Sequence, residues 1–138
     1  WEVFEEYYKE GKLRSIGVSN FSKELLEEMK EFATVKPAVN QIQINMLQKN
    51  EELIDLLRKL AITPVAWGPM KATDEQKKQL EAIGEKYSKN WAQVLLRYQV
   101  QRGIVVIPKS HNPKHQAENI DIFDFKLSES ELELIHNL

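Results

Sequence analysis

Short apolar runs rich in β-branched residues alternate along this chain with longer amphipathic stretches, and that alternation narrows the possible folds more than any other feature. The runs are Ser15–Ser19, Ala38–Asn45, Ile62–Trp67 and Ile104–Ile107, each of a length that suits a strand. Segments Ser22–Phe32, Asn50–Leu60, Asp74–Lys86, Lys89–Arg102 and Ser128–His136 instead repeat apolar residues every three or four positions, the period of a half-buried helix. Ser22, Asn50 and Asp74 stand where helices should start, and Ser128 with Glu131 has the spacing of a capping box. Gly11 and Gly103 stand where helices should stop. Pro113 to Asp124 reads as irregular, with a short helix around Lys114–Glu118. The order is one helix followed by four strand–helix units. Strands that alternate with helices pair in parallel through right-handed crossovers, so an α/β fold is expected. No linker or low-complexity tract divides residues 1–138, which read as a single unit.

Composition removes several functions. The 138 residues are 42% hydrophobic and 29% charged, as expected of a folded chain. Nineteen Lys and Arg against 21 Asp and Glu give a charge of −2, so no basic footprint for nucleic acid is expected. No apolar run approaches the ~20 residues of a membrane span. The absence of Cys rules out disulfides, thiol catalysis and thiolate metal sites. The first residues lack the pattern of a signal peptide, and a cytoplasmic location is the expectation.

The strand ends carry the chemistry. In parallel α/β folds the loops after the strands build the site. Here they run into Ser19-Asn20, Gln41 to Asn45, Trp67-Gly68-Pro69 and Lys109-Ser110. Alternation sets Ile42 and Ile44 on one face of the second strand, with Gln41, Gln43 and Asn45 on the other. Hydroxyls and amides orient a polar neutral group, an indole offers a stacking face, and Lys-Ser suits phosphate. The set describes a nucleotide site better than a hydrolytic one. Structural roles remain open beside this reading: Gln41 and Asn45 can satisfy strand ends, and Trp67 can be core. A general acid or base is not visible at this rim, because all four Tyr fall on expected helices. His111 and His115 lie four apart but lack a third metal ligand, and no Gly-rich phosphate loop is present.

Several of these segments resemble the aldo-keto reductases. Gly11-Lys12-Leu13-Arg14-Ser15-Ile16-Gly17-Val18-Ser19-Asn20-Phe21 is similar to a signature of that family, and Val39-Asn40-Gln41-Ile42-Gln43 is similar to its next strand. Ala66-Trp67-Gly68-Pro69 resembles the form found in bacterial members of the 2,5-diketo-gluconate reductase type. Ala92 to Arg97, Ile107-Pro108-Lys109-Ser110, Glu118-Asn119 and Ile122-Phe123-Asp124-Phe125 continue the resemblance in family order.

The resemblance implies a TIM (β/α)8 barrel that reduces aldehyde and ketone carbonyls with NADPH or NADH. On matching positions it implies that Ser19, Asn20 and Gln41 hold the nicotinamide carboxamide and that Trp67 stacks on the ring. Lys109 and Ser110 would meet the 2′-phosphate of the adenosine, with Asn119 and Glu118 near the adenine. NADPH is the implied cofactor, with NADH an alternative because His115 stands where the family has an Arg able to clamp phosphate in two-pronged fashion. The loop Met70–Thr73 is shorter than in most relatives, and Asn45-Met46 replaces a frequent His-Pro.

Four strands match the last four of eight. The resemblance therefore implies the C-terminal, cofactor-binding half of the barrel, with no catalytic residue and no metal ligand in this chain, whose catalytic groups come from the first half. The expectations that follow are a chain inactive alone, and either self-association or pairing with the N-terminal half. The alternative is a non-enzymatic half-barrel module that binds nucleotides or protein partners.

Overall fold

In the computed structural model all residues 1–138 are described, and they form two compact units: Trp1–Ile42 with Asn50–Val65, and Gln43–Lys49 with Ala66–Leu138. The elements alternate as expected. They are α1 (Glu2–Lys9), β1 (Val18–Ser19), α2 (Lys23–Met29), β2 (Val39–Gln43), α3 (Glu51–Lys59), β3 (Thr63–Trp67), α4 (Asp74–Gly84), α5 (Trp91–Gln101), β4 (Val105–Val106), α6 (Pro113–Ile120) and α7 (Glu129–His136), with a 3-10 turn Glu85–Tyr87 after α4. The four parallel strands run in the order β1-β2-β3-β4, each joined to the next through helix.

In the first unit, β1 pairs with β2 in the register Val18 to Asn40 and Ser19 to Gln41. Gly17 permits this approach: a Cβ there would lie 2.5 Å from Val39 Cγ2 and 2.9 Å from the Val39 carbonyl oxygen. Leu26 and Met29 of α2, Ile54 and Leu57 of α3, and Ile16 and Ile42 are buried, an apolar stripe from each helix. Glu5 is buried too. Its carboxylate accepts from the Thr34 and Val35 amides (both 2.7 Å), the Thr34 hydroxyl (3.0 Å) and the Trp1 indole (2.9 Å). Those bonds, led by the one from Val35, outweigh burial and hold its carboxyl below the usual range.

The second unit has its own core of Met46, Leu80, Val94, Leu95, Leu96, Tyr98, Ile122, Phe125, Leu127 and Ile135. Capping boxes start three of its helices, from Thr73 with Gln76, Asn90 with Gln93, and Ser128 with Glu131.

Several boundaries differ from the sequence reading. α4 is capped by Thr73 rather than by Asp74, because the Thr73 hydroxyl accepts from Gln76 N and the Gln76 side chain returns the bond. Asn50, in the left-handed region at φ 53°, makes no side-chain cap. Lys89 precedes α5 instead of belonging to it, and its ammonium is turned inward. The segment after Pro113 is a full helix, because Pro113 occupies the first turn and Asn112 Oδ1 accepts from Lys114 N. β1 and β4 shrink to two residues each.

Candidate functional site

The first unit carries the amide and hydroxyl part of the expected set. β1 ends at Ser19, whose Oγ donates to the Gln41 carbonyl at 3.0 Å, and the Asn20 amide donates to the same oxygen at 2.8 Å. Asn20 then turns the chain in the left-handed region at φ 57°, a conformation that Asn tolerates better than most residues. Ser19 and Asn20 are exposed and Gln41 is half-buried. The structure therefore sets Ser19 and Asn20 at the end of β1, with Ser19 opposite Gln41 of the neighbouring β2.

Asn40 was not singled out by its sequence, yet it shapes this turn. It is fully buried, donates Nδ2 to the Phe21 carbonyl at 2.9 Å and accepts from the Phe21 amide at 3.3 Å. A two-bond clip of this kind fixes the residue that follows Asn20. The available signal was an amide alternating with Ile42 on the apolar face of a strand, since a buried amide requires partners.

In the second unit, β3 ends at the half-buried Trp67, with Lys71 Nζ 5.9 Å from the indole centroid. Two amides hold the turn after it. Asn45 Nδ2 donates to the Gly68 carbonyl at 3.0 Å, and buried Gln99 Nε2 donates to the Pro69 carbonyl at 2.8 Å. Asn45 is thus no part of an exposed rim. Chain pairing as β2 ends at Gln43, and the Asn45 side chain accepts from the Leu47 and Gln48 amides. It is buried in this second unit.

The remaining four expected residues share a cleft of about 400 Å³ in the same unit. Its lining includes Lys109, Ser110, His115, Glu118 and Asn119, together with Met70, Glu81, Asn90, Trp91 and Ala92. Lys109 is exposed. Ser110 closes a turn into α6: its Oγ accepts from Asn112 N at 3.1 Å, and its carbonyl accepts from Gln116 Nε2 at 2.7 Å. The far end of α6 is tied by Gln93 and Lys89. Hydrogen bonds to Asp121 and then Asp124 raise the Lys89 ammonium above the usual range despite its burial.

The cleft holds an ammonium, an imidazole, a hydroxyl and two amides beside a half-buried indole and the carboxylates of Glu81 and Glu118. That donor set suits a phosphorylated sugar with a flat base. No Tyr lines it. Tyr87 bonds Glu131, the buried Tyr98 hydroxyl lies 3.2 Å from His136 Nδ1, and Tyr7 and Tyr8 belong to α1. No group of three or more His, Asp or Glu side chains that could hold a metal ion occurs. No helix is long and apolar enough to cross a membrane.

Known proteins resemble the whole chain. Glyoxal reductase of Bacillus subtilis (strain 168) is 42% identical over 139 residues, covering 100% of this chain and 50% of that protein. The 9,11-endoperoxide prostaglandin H2 reductase of Trypanosoma cruzi is 37% identical over 142 residues, again covering 100% of this chain and 50% of its own length. The chain spans about half the length of these curated relatives. Among solved structures, an aldo/keto reductase of Brucella melitensis superposes with a TM-score of 0.92 at 36% identity, over 99% of this chain and 53% of that one. A Bombyx mori aldo-keto reductase in complex with NADP superposes with a TM-score of 0.90 at 32% identity, over 99% and 48% of the two chains. The family model described as Aldo/keto reductase family matches residues 1–138. On these matches the chain belongs to the aldo/keto reductase family, spanning about half the length of the relatives it matches.

Proposed function

We propose that this chain supplies the cofactor-binding part of an NADPH-dependent oxidoreductase acting on aldehyde or ketone carbonyls. The observation that carries the reading is the cleft shared by Lys109, Ser110, His115, Glu118 and Asn119, in a family with a member solved with NADP bound. When bound, the nicotinamide cofactor supplies the hydride. The protein's part is binding and orientation. Ser19, Asn20 and Gln41 hold the carboxamide through the hydrogen-bonding capacity of their side chains, and the Trp67 indole gives the ring an apolar face. Lys109 supplies a point charge for the 2′-phosphate and Ser110 a hydroxyl donor. Glu118 accepts from the exocyclic amine of the adenine, and Asn119 both donates to the base and accepts from it.

Carbonyl reduction also needs a proton donor at the new alkoxide. On the family resemblance that donor comes from the first half of the barrel, and the chain alone binds cofactor without turnover. The exposed Val3, Phe4, Tyr7 and Tyr8 of α1 form an apolar face that pairs with further β/α units or with a second copy.

Cofactor titration followed by Trp fluorescence tests the reading. NADPH should quench the emission of the 138-residue chain in a saturable way, and Trp67→Ala should weaken binding by roughly ten-fold. Absence of saturable binding would overturn the proposal. Steady-state carbonyl reduction by the purified chain would overturn the view that its proton donor lies elsewhere.

A further inference from the structure

None of the residues of α6 is buried. Ile120 is 70% exposed, and Pro113 and Ala117 also face water. Most helices in proteins are held by burying an apolar face. This one has no such face, yet it carries His115, Glu118 and Asn119 of the cleft.

Two buried polar side chains outside α6 hold its carboxyl end. Gln93 Nε2 donates to the carbonyls of Glu118 (3.1 Å) and Asp121 (3.0 Å). Lys89 Nζ donates to the Asp121 carbonyl (3.0 Å) and to the Asp121 carboxylate (2.8 Å), and it lies 2.8 Å from the Asp124 carboxylate. At the other end, Gln116 bonds Ser110, which ties α6 only to the loop that precedes it. The chain regains an apolar anchor at the buried Ile122, whose carbonyl accepts from Arg97 Nη1 at 3.2 Å.

We infer that Gln93 and Lys89 are positioning residues of the cleft, a polar latch that holds α6 against the wall formed by Asn90, Trp91 and Ala92. Neither residue lines the cleft. Both act through the helix that does. With the latch broken, no buried apolar residue of α6 itself opposes local opening, and the freed carbonyls and carboxylates are satisfied by water. The consequence for ligand affinity rests on the reading of the cleft as the phosphate and adenine pocket; the consequence for α6 does not.

Two variants of the full chain test this. Gln93→Glu keeps the side-chain size and the acceptor that caps Asn90 N but cannot donate to the two carbonyls. Lys89→Met keeps an apolar stem and removes the ammonium. In amide hydrogen exchange, the amides of α6 should exchange roughly ten-fold faster in each variant while those of α4 and α7 keep their protection. Affinity for adenosine 2′,5′-bisphosphate, measured by calorimetry, should fall by a similar factor. Unchanged α6 exchange would overturn the latch, as would faster exchange of α6 only in step with the whole chain. Loss of the fold in both variants would overturn it as well, since a local latch does not hold the remaining elements. Failure of the parent chain to bind adenosine 2′,5′-bisphosphate would overturn the nucleotide reading of the cleft, and the exchange result would still decide the latch.

Discussion

Tyr87 donates its phenolic proton to the Glu131 carboxylate at 2.6 Å, joining the 3-10 turn after α4 to the first turn of α7. Lys86 donates to the same carboxylate at 2.6 Å, and the Ser128 amide at 2.8 Å completes the capping box. Burial of Glu131 raises its pKa, but the bonds from Lys86, Tyr87 and Ser128 together prevail and hold it at about 2.

A depressed carboxyl stabilises the fold above its unfolded pKa, and the contribution is lost as pH falls through the folded value. For Glu131 the window runs from the ordinary carboxyl range down to about 2. Glu131→Gln should cost about 2 kcal/mol at neutral pH and flatten the acid limb of the stability curve. Urea denaturation at neutral pH and again below the ordinary carboxyl range measures both; an acid limb identical to the parent's would contradict the assignment.

Gly17 allows β1 to reach β2. The Cβ of Gly17→Ala would meet both the side chain and the backbone of Val39 at under 3 Å, and backbone has no rotamer by which to move away. A loss of about 1–3 kcal/mol is expected from such overpacking. Thermal unfolding by circular dichroism reads it, and a melting temperature equal to the parent's would refute the close approach.

Asn40→Leu removes the clip on Phe21 and leaves the Phe21 amide and carbonyl without their side-chain partner. The expected cost is about 1–3 kcal/mol. On the proposed function, NADPH should also bind more weakly, since the turn carrying Ser19 and Asn20 loses its tie. Isothermal calorimetry that found parent-like affinity in a folded Asn40→Leu chain would detach Asn40 from the site.

His115 lines the cleft with Lys109 and Ser110. An imidazole cannot make the planar, two-pronged phosphate contact of a guanidinium. His115→Arg should therefore raise affinity for NADPH over NADH by roughly ten-fold, about the value of one charge-assisted contact. Parallel titrations with the two cofactors check it, and an unaltered ratio would place the phosphate elsewhere.

Element type and order were legible in the sequence because they rest on local rules. Hydrophobic period separates helix from strand, and the Ser128–Glu131 box works with neighbours three residues apart. The residues assigned to the cleft, Lys109, Ser110, Glu118 and Asn119, were also named from sequence, through strand-end position and family resemblance. α6 was harder to read. A helix that buries no residue has no apolar period to detect.

The sequence by itself determined the parallel α/β architecture, the family and the chemical types offered at the strand ends. Tertiary structure alone decided how those groups are held. Asn40 faces Phe21 across 19 positions, Gln99 reaches Pro69 across 30, and Lys89 reaches Asp121 across 32. Each is a polar side chain withdrawn from water, and each must find its partner in space. Local propensity and periodicity describe neighbours along the chain. The partners of buried amides and ammonium groups are chosen only once the chain has folded.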